Sequence, residues 1–268
     1  MNEFNTIAHT ARQIRAELVA VSSANRVPHL ASCLSCVDLL TTLFGRHLRF
    51  DAANPLDPDR DRFILSKGHA ASALYSTLAA HGFFDPALLY THGQTDSPLE
   101  EHPYRDCVPG VEVATGSLGH GLSIGLGMAL AARLQHQNYR VFCLLSDGEC
   151  NEGSVWEAAM FAGGKSLDNV CVMVDFNKWQ ATGRSCEVLA LQPLVDKWRA
   201  CGWHAVEIDG HDLEAIDKAL TLASGQPTAI IAHTVKGKGI SFMEDDNNWH
   251  YRIPTAEEVE AARKELGL

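Results

Sequence analysis

Two short apolar runs, each cut off by an acidic or amide-bearing turn, constrain this chain more than any other feature. Val141 to Leu145 ends at Ser146-Asp147-Gly148, and Val170 to Val174 ends at Asp175-Phe176-Asn177. Apolar runs of this length between turn signals suit strands buried on both faces. Such strands belong to parallel sheets covered by helices. The stretch between them, helical from about Ser154, is long enough for the crossover that two parallel strands require. The fold class that follows is α/β, a parallel β-sheet flanked by helices on both faces. Ligands of open parallel sheets collect beyond the carboxyl ends of the strands, so Asp147 and Asn177 are expected to face one crevice.

One carboxylate and one amide oxygen suit a hard cation. Magnesium takes about six oxygens, of which only one or two come from protein carboxylates, with phosphate and water supplying the others. That leaves a seat for a diphosphate. Gly148 and Gly153 let the backbone approach an anion closely, and the helix after them would offer unpaired N–H groups. An Asp-Gly pair alone is more simply a helix cap. The second turn, with Asn177, is what favours a ligand.

The flanking segments repeat the alternation. Ile7, Ile14, Leu18 and Val21 recur at helical spacing up to about Ala24, and Val27 to Ser35 is a proline-broken loop. Asp61 to Leu65 reads as a strand, as do Trp203 to Ile208 and Thr228 to His233, with a helix from Asp212 to Leu222 between the last two. A glycine-rich loop from Glu101 to Gly121 leads into an apolar helix from Leu122 to Leu134. Its glycines are in the wrong order for a dinucleotide fingerprint. Thr255-Ala256-Glu257-Glu258 opens a capped helix that closes the chain. Cys33 and Cys36 form a single CxxC without a second pair, and Cys36 starts a helical pattern in which cysteine serves as a small core residue.

Composition narrows the function. The 268 residues are 46% hydrophobic and 21% charged with a formal charge of −11, which fits one large globular domain and argues against a nucleic-acid backbone as partner. No apolar run is long enough to span a membrane. The eight cysteines, spread through helices and strands, suit a reducing compartment, so the expected location is the cytoplasm.

The residues then carry a resemblance. Ser146-Asp147-Gly148-Glu149 followed about thirty residues later by Asn177-Lys178-Trp179 resembles the thiamine diphosphate motif of transketolases, with Ser146 where the wider superfamily has glycine. Ser66-Lys67-Gly68-His69-Ala70, the loop through Thr115-Gly116-Ser117-Leu118-Gly119-His120-Gly121, Lys236-Gly237-Lys238-Gly239 and Trp249-His250 match further motifs of that family in order. Pro28-His29-Leu30 is a partial match to its Gly-His-Pro segment. His120 stands where glutamine is commoner, and Tyr251-Arg252 where most members have glycine and lysine.

The resemblance implies one component of a two-component transketolase, binding thiamine diphosphate and Mg2+, with Ca2+ or Mn2+ as substitutes. It makes Asp147, Asn177 and the main-chain carbonyl of Trp179 the metal ligands. Ser32, His69, Gly116, Leu118, Asp147, Gly148, Glu149, Asn177, Lys236 and His250 become cofactor contacts, and His29, His69, His102 and His250 the histidines that handle substrate protons. Transketolases continue into a pyrimidine-binding domain with a catalytic glutamate and a C-terminal domain, whereas residues 1–268 are expected to form one diphosphate-binding domain. A separate C-terminal subunit is therefore expected, in an α2β2 heterotetramer acting on ketose and aldose substrates. Arg252, with His250, is expected to bear on substrate choice, because guanidinium groups clamp anions. The alternatives are the α subunit of a 2-oxo acid dehydrogenase and a non-catalytic, regulatory cofactor-binding subunit.

Overall fold

Alternation along the strands sorts the core into two layers. The computed structural model describes residues 3–222 and 225–268. Its parallel strands are β1 (Arg62–Leu65), β2 (Val141–Ser146), β3 (Val170–Phe176), β4 (His204–Asp209) and β5 (Thr228–His233), lying in the order β1-β2-β3-β5-β4. Phe142, Leu144, Met173, Ile230 and Ala232 join one apolar cluster. Val141, Cys143, Leu145, Val172, Val174, Ala229 and Ile231 join the other. Successive side chains of a strand point to opposite faces, so strands apolar at every position need cover on both.

The helices supply it. In chain order they are α1 (Glu3–Asn25), α2 (Leu30–Leu34), α3 (Val37–Thr42), α4 (Ala71–Ala80), α5 (Gly121–Leu134), α6 (Gly153–Gly164), α7 (Ser185–Val188), α8 (Leu194–Ala200), α9 (Leu213–Thr221) and α10 (Ala256–Glu265). The first cluster draws on α1 to α4, α9 and α10, and the second on α5, α6 and α8. The sheet is thus sandwiched as expected, and its carboxyl ends open at one edge. Thr255 caps α10 with a reciprocal bond pair to Glu258. Among the described residues no helix is long and apolar enough to cross a membrane.

The segment from Val27 to Ser35 departs from the expected loop. His29 takes a left-handed backbone (φ 66°), and the chain then winds into α2. Leu30, Ala31, Cys33 and Leu34 are all buried there, and burying four apolar side chains outweighs the turn tendency of the proline. Cys33 and Cys36 are buried thiols, pushed up by that burial to about 11 and about 12. Helices α7 and α8 do not show in the sequence pattern, nor does the 3-10 segment Pro86–Thr91, which Asp85 caps. Each is too short for its periodicity to stand out.

Backbone proximity gives the fold its sharpest test. A Cβ on Gly163 of α6 would stand 1.8 Å from the Cys201 carbonyl oxygen that follows α8, so relief requires moving a helix. Gly163→Ala is expected to cost about 2–3 kcal/mol, seen as a lower urea midpoint at unchanged slope. A midpoint equal to wild type would show that α6 shifts freely.

Candidate functional site

Strands β2 and β3 are in register with Ser146 beside Asp175, so the turns that leave them start at the same level. Asp147 is fully buried. Its Oδ1 accepts the Gly148 N–H and its Oδ2 the Lys178 N–H, each at 2.9 Å. Burial, reinforced by nearby Asp175, raises its pKa to about 6 despite these bonds. A carboxylate so placed gains from a cation that returns charge compensation to it.

Asn177 is oriented from behind. Its Nδ2 donates to Asp175 Oδ2 at 3.2 Å, and its Oδ1 accepts the Trp179 N–H at 3.1 Å. Since the amide hydrogens go to the Asp175 carboxylate and the Ser35 hydroxyl, the carbonyl oxygen is the atom left to face outward. Asp175 is itself fixed by the Lys67 ammonium, by the Thr234 hydroxyl and by the Ser35 hydroxyl at 2.6 Å. Burial would raise the Asp175 pKa, but Lys67 and these bonds outweigh it and hold the carboxyl below its usual value. Lys67 also donates to the Ser32 carbonyl at 2.9 Å. One buried ion pair therefore ties the ends of β1 and β3 to α2 and to the turn after β5.

These turns surround a cavity of about 490 Å3 lined by His29, Ser32, His69, Gly116, Leu118, Gly148, Asn177, Trp179 and His250. Backbone approaches closely at two of its glycines. A Cβ on Gly116, whose φ is 138°, would meet the His102 ring at 2.7 Å, and one on Gly148 would meet Gln180 at 2.8 Å. The buried Asn151 Oδ1 and Gln180 Nε2, both on residues of the cavity wall, have no hydrogen-bond partner. Unspent buried polar atoms call for a polar guest, and together with an acidic oxygen, an amide oxygen and exposed glycine backbone they fit a diphosphate with its cation.

The histidines gather on one side. The His29 ring centroid lies 5.7 Å from that of His69, 6.2 Å from His102 and 5.0 Å from His250. The His29 N–H donates to the His250 carbonyl at 2.8 Å, joining the two loops. Lys236, buried behind His250, donates to its Nδ1 at 2.8 Å and to Asn247 at 2.6 Å. That bond puts the neutral imidazole hydrogen on Nε2. Burial, then Lys236, lowers His250 to about 3. Burial likewise lowers His29 and takes His69 well below the usual histidine value.

Five of the sequence-selected residues stand off the cavity wall. Asp147 and Lys236 lie buried just behind it, and His102 braces Gly116. Glu149 is buried with its carboxylate taken by the Ser66 hydroxyl and by the N–H groups of Gly119 and Ser146, so it aligns the loop carrying Leu118. Arg252 points away: its guanidinium stacks 4.1 Å from the Trp249 ring centre and pairs with Glu258. A capping glutamate six positions on claims it. Tyr251 instead faces the histidines, 4.6 Å from His250 and 5.3 Å from His29. Sequence reasoning missed Asn151, Glu152, Gln180, Ala181, Val188 and Leu189 in the wall. The run Gln180-Ala181-Thr182 directly after Trp179 was the available signal.

Comparison with known proteins agrees with this geometry. A family profile described as transketolase, thiamine diphosphate binding domain, matches residues 5–268. The chain is 39% identical over 267 residues to one of the named subunits of the apulose-4-phosphate transketolase of Phocaeicola vulgatus, covering 98% of this chain and 95% of that one. It is 41% identical over 263 residues to the 6-deoxy-6-sulfo-D-fructose transketolase subunit SqwG of a Clostridium species, covering 97% and 96%. The solved structure of Campylobacter jejuni transketolase superposes with a TM-score of 0.91 at 31% identity, over all of this chain and 43% of that one.

The Lys236–His250 contact is separable from burial. Removing the ammonium in Lys236→Met takes away a positive charge that disfavours imidazolium, so the His250 pKa is expected to rise toward the ordinary 6.5. NMR titration of the ring protons reads this. An unchanged midpoint would show that burial alone sets it.

Proposed function

This chain belongs to the transketolase family of thiamine diphosphate-binding domains, and we propose that it works as the diphosphate- and metal-binding subunit of a two-component transketolase. The observation that carries the proposal is the convergence of Asp147 and an oriented Asn177 at adjacent strand ends, above a cavity with unspent polar atoms. Residues 1–268 act as one domain. The Asp147 carboxylate, Asn177 Oδ1 and the Trp179 carbonyl hold Mg2+, with Ca2+ or Mn2+ able to replace it. Gly148 gives its backbone to the diphosphate, Ser32, Gly116 and Leu118 line the seat of the organic part, and Lys236 supports it from behind.

Bound thiamine diphosphate supplies the carbon nucleophile with which a two-carbon ketol unit leaves a ketose and reaches an aldose. The protein's share is proton handling and exclusion of water. Burial favours the neutral ring at His29, His69 and His250, so His29 and His69 can each donate to or accept from a substrate hydroxyl, while His250, its Nδ1 taken by Lys236, donates from Nε2. His102 completes the group. The near-complete match to relatives named as subunits supports a second chain, which we take to carry the pyrimidine-binding domain and its catalytic glutamate in an α2β2 heterotetramer. Unpaired cysteines, most of them buried, support a cytoplasmic setting.

The experiment is an assay of ketol transfer with this chain alone, with the partner, and with Asp147→Ala plus the partner. Turnover is expected only on mixing, and Asp147→Ala is expected to weaken metal-dependent cofactor binding, read by calorimetry, by more than about 100-fold. Robust turnover by the isolated chain, or wild-type cofactor affinity in the variant, would overturn the proposal.

A further inference from the structure

We infer that Tyr251 and Glu101 form a selectivity rim on the cavity, one that passes a neutral polyhydroxylated segment of substrate and disfavours an anionic group at that depth. The inference rests on the transketolase reading for the identity of the reaction, and on geometry for the rim itself. Tyr251 is 63% exposed, yet its ring packs against two histidines of the cavity wall. It is held there from both sides. Trp249, two residues before it, is buried, with its indole N–H on the Phe242 carbonyl at 2.9 Å. Arg252 after it is clamped between Trp249 and Glu258, and its backbone N–H donates to the Asn248 carbonyl at 3.2 Å. A residue pinned on both sides presents its side chain in one place, which here is against the rings of His29 and His250.

Glu101 completes the rim across His29. Its Oε1 lies 3.3 Å from His29 Nδ1, its side chain is half exposed at 50%, and the two groups form no hydrogen bond, so Nδ1 is buried and unspent. A substrate hydroxyl arriving at the exposed side of Glu101 would donate to its carboxylate. An aromatic ring beside it offers an apolar face to the carbon chain of a sugar. A phosphate in the same place would meet a carboxylate, and like charges repel. No cationic side chain in the wall offsets that repulsion: among the lining residues of the described cavity there is no lysine or arginine, and Glu152 supplies a carboxylate. Lys67 and Lys236 are spent behind the wall on Asp175 and on His250 with Asn247.

The test uses the enzyme assembled with its partner chain and one fixed ketose donor. Acceptors are glyceraldehyde and glyceraldehyde 3-phosphate, equal in carbon chain and different in charge. Thiamine diphosphate affinity by calorimetry checks that each variant is folded. Tyr251→Ala is expected to lower kcat/KM for the neutral acceptor about tenfold, chiefly through KM, with Tyr251→Phe close to wild type. Glu101→Gln is expected to raise the phosphorylated-to-neutral ratio of kcat/KM about tenfold, less so at high salt. A ratio unchanged within about twofold in Glu101→Gln, or an unchanged KM in Tyr251→Ala, overturns the rim while leaving transketolase activity standing. No ketol transfer by the wild-type assembly would instead overturn the reading on which the rim rests, and the rim with it.

Discussion

A lysine and an aspartate sealed from water hold the strand ends together. Lys67 follows β1, Asp175 lies near the end of β3, and their contact is fully buried. Taking two charges out of water costs several kcal/mol for each, and the loss is offset only where the remaining donors and acceptors are filled. Here they are filled by Ser35, Thr234, Asn177 and the Ser32 carbonyl. The partners come from α2 and the residue that follows it, and from the turns after β3 and β5, so satisfying the pair fixes where each of those segments sits. The orientation of Asn177 is a by-product of that satisfaction.

The same arrangement explains how a largely neutral cavity can accept a highly charged guest. Its histidines are uncharged, and its cations are engaged behind the wall. What compensates a diphosphate is the metal together with backbone N–H groups exposed at glycines, both of which act at short range. Glu149 serves the same end without touching the cavity, because it gathers N–H groups of the loop at Gly119 and of the turn at Ser146. Burial raises its pKa, and each bond it accepts opposes that rise. Under the proposed function, substrate hydroxyls would meet neutral rings at His29 and His69 that can serve as donor or acceptor, and the Nε2–H of His250 as a donor.

Much of this was legible in the sequence where a residue's role is local. The strands showed as apolar runs, and the cap of α10 as Thr255 with Glu258 three residues on. The motif around Asp147 and Asn177 named both turns. What escaped was decided by contacts far apart in the chain. Helix α2 forms because Leu30 and Leu34 find a core, which their proline-flanked sequence does not announce. Arg252 looked free for an anion until Glu258 and Trp249 proved to hold it. Glu149 sits inside the motif, yet its side chain turns away from the crevice toward Ser66, more than eighty residues earlier. Lys67 and Asp175 lie within recognisable motifs, but nothing local says that they touch.

Under the proposed function, adjacent strand ends place Asp147 and Asn177 on one cation that holds a diphosphate. The most direct measurement is a crystal structure of the enzyme assembled with its partner, loaded with Mn2+ and thiamine diphosphate, using anomalous scattering at the manganese edge. The expected result is a single peak per site at about 2.1 Å from an Asp147 oxygen and from Asn177 Oδ1, with phosphate oxygens completing the shell. A peak away from these turns, or an Asn177 amide turned with Nδ2 toward the metal, would contradict the account.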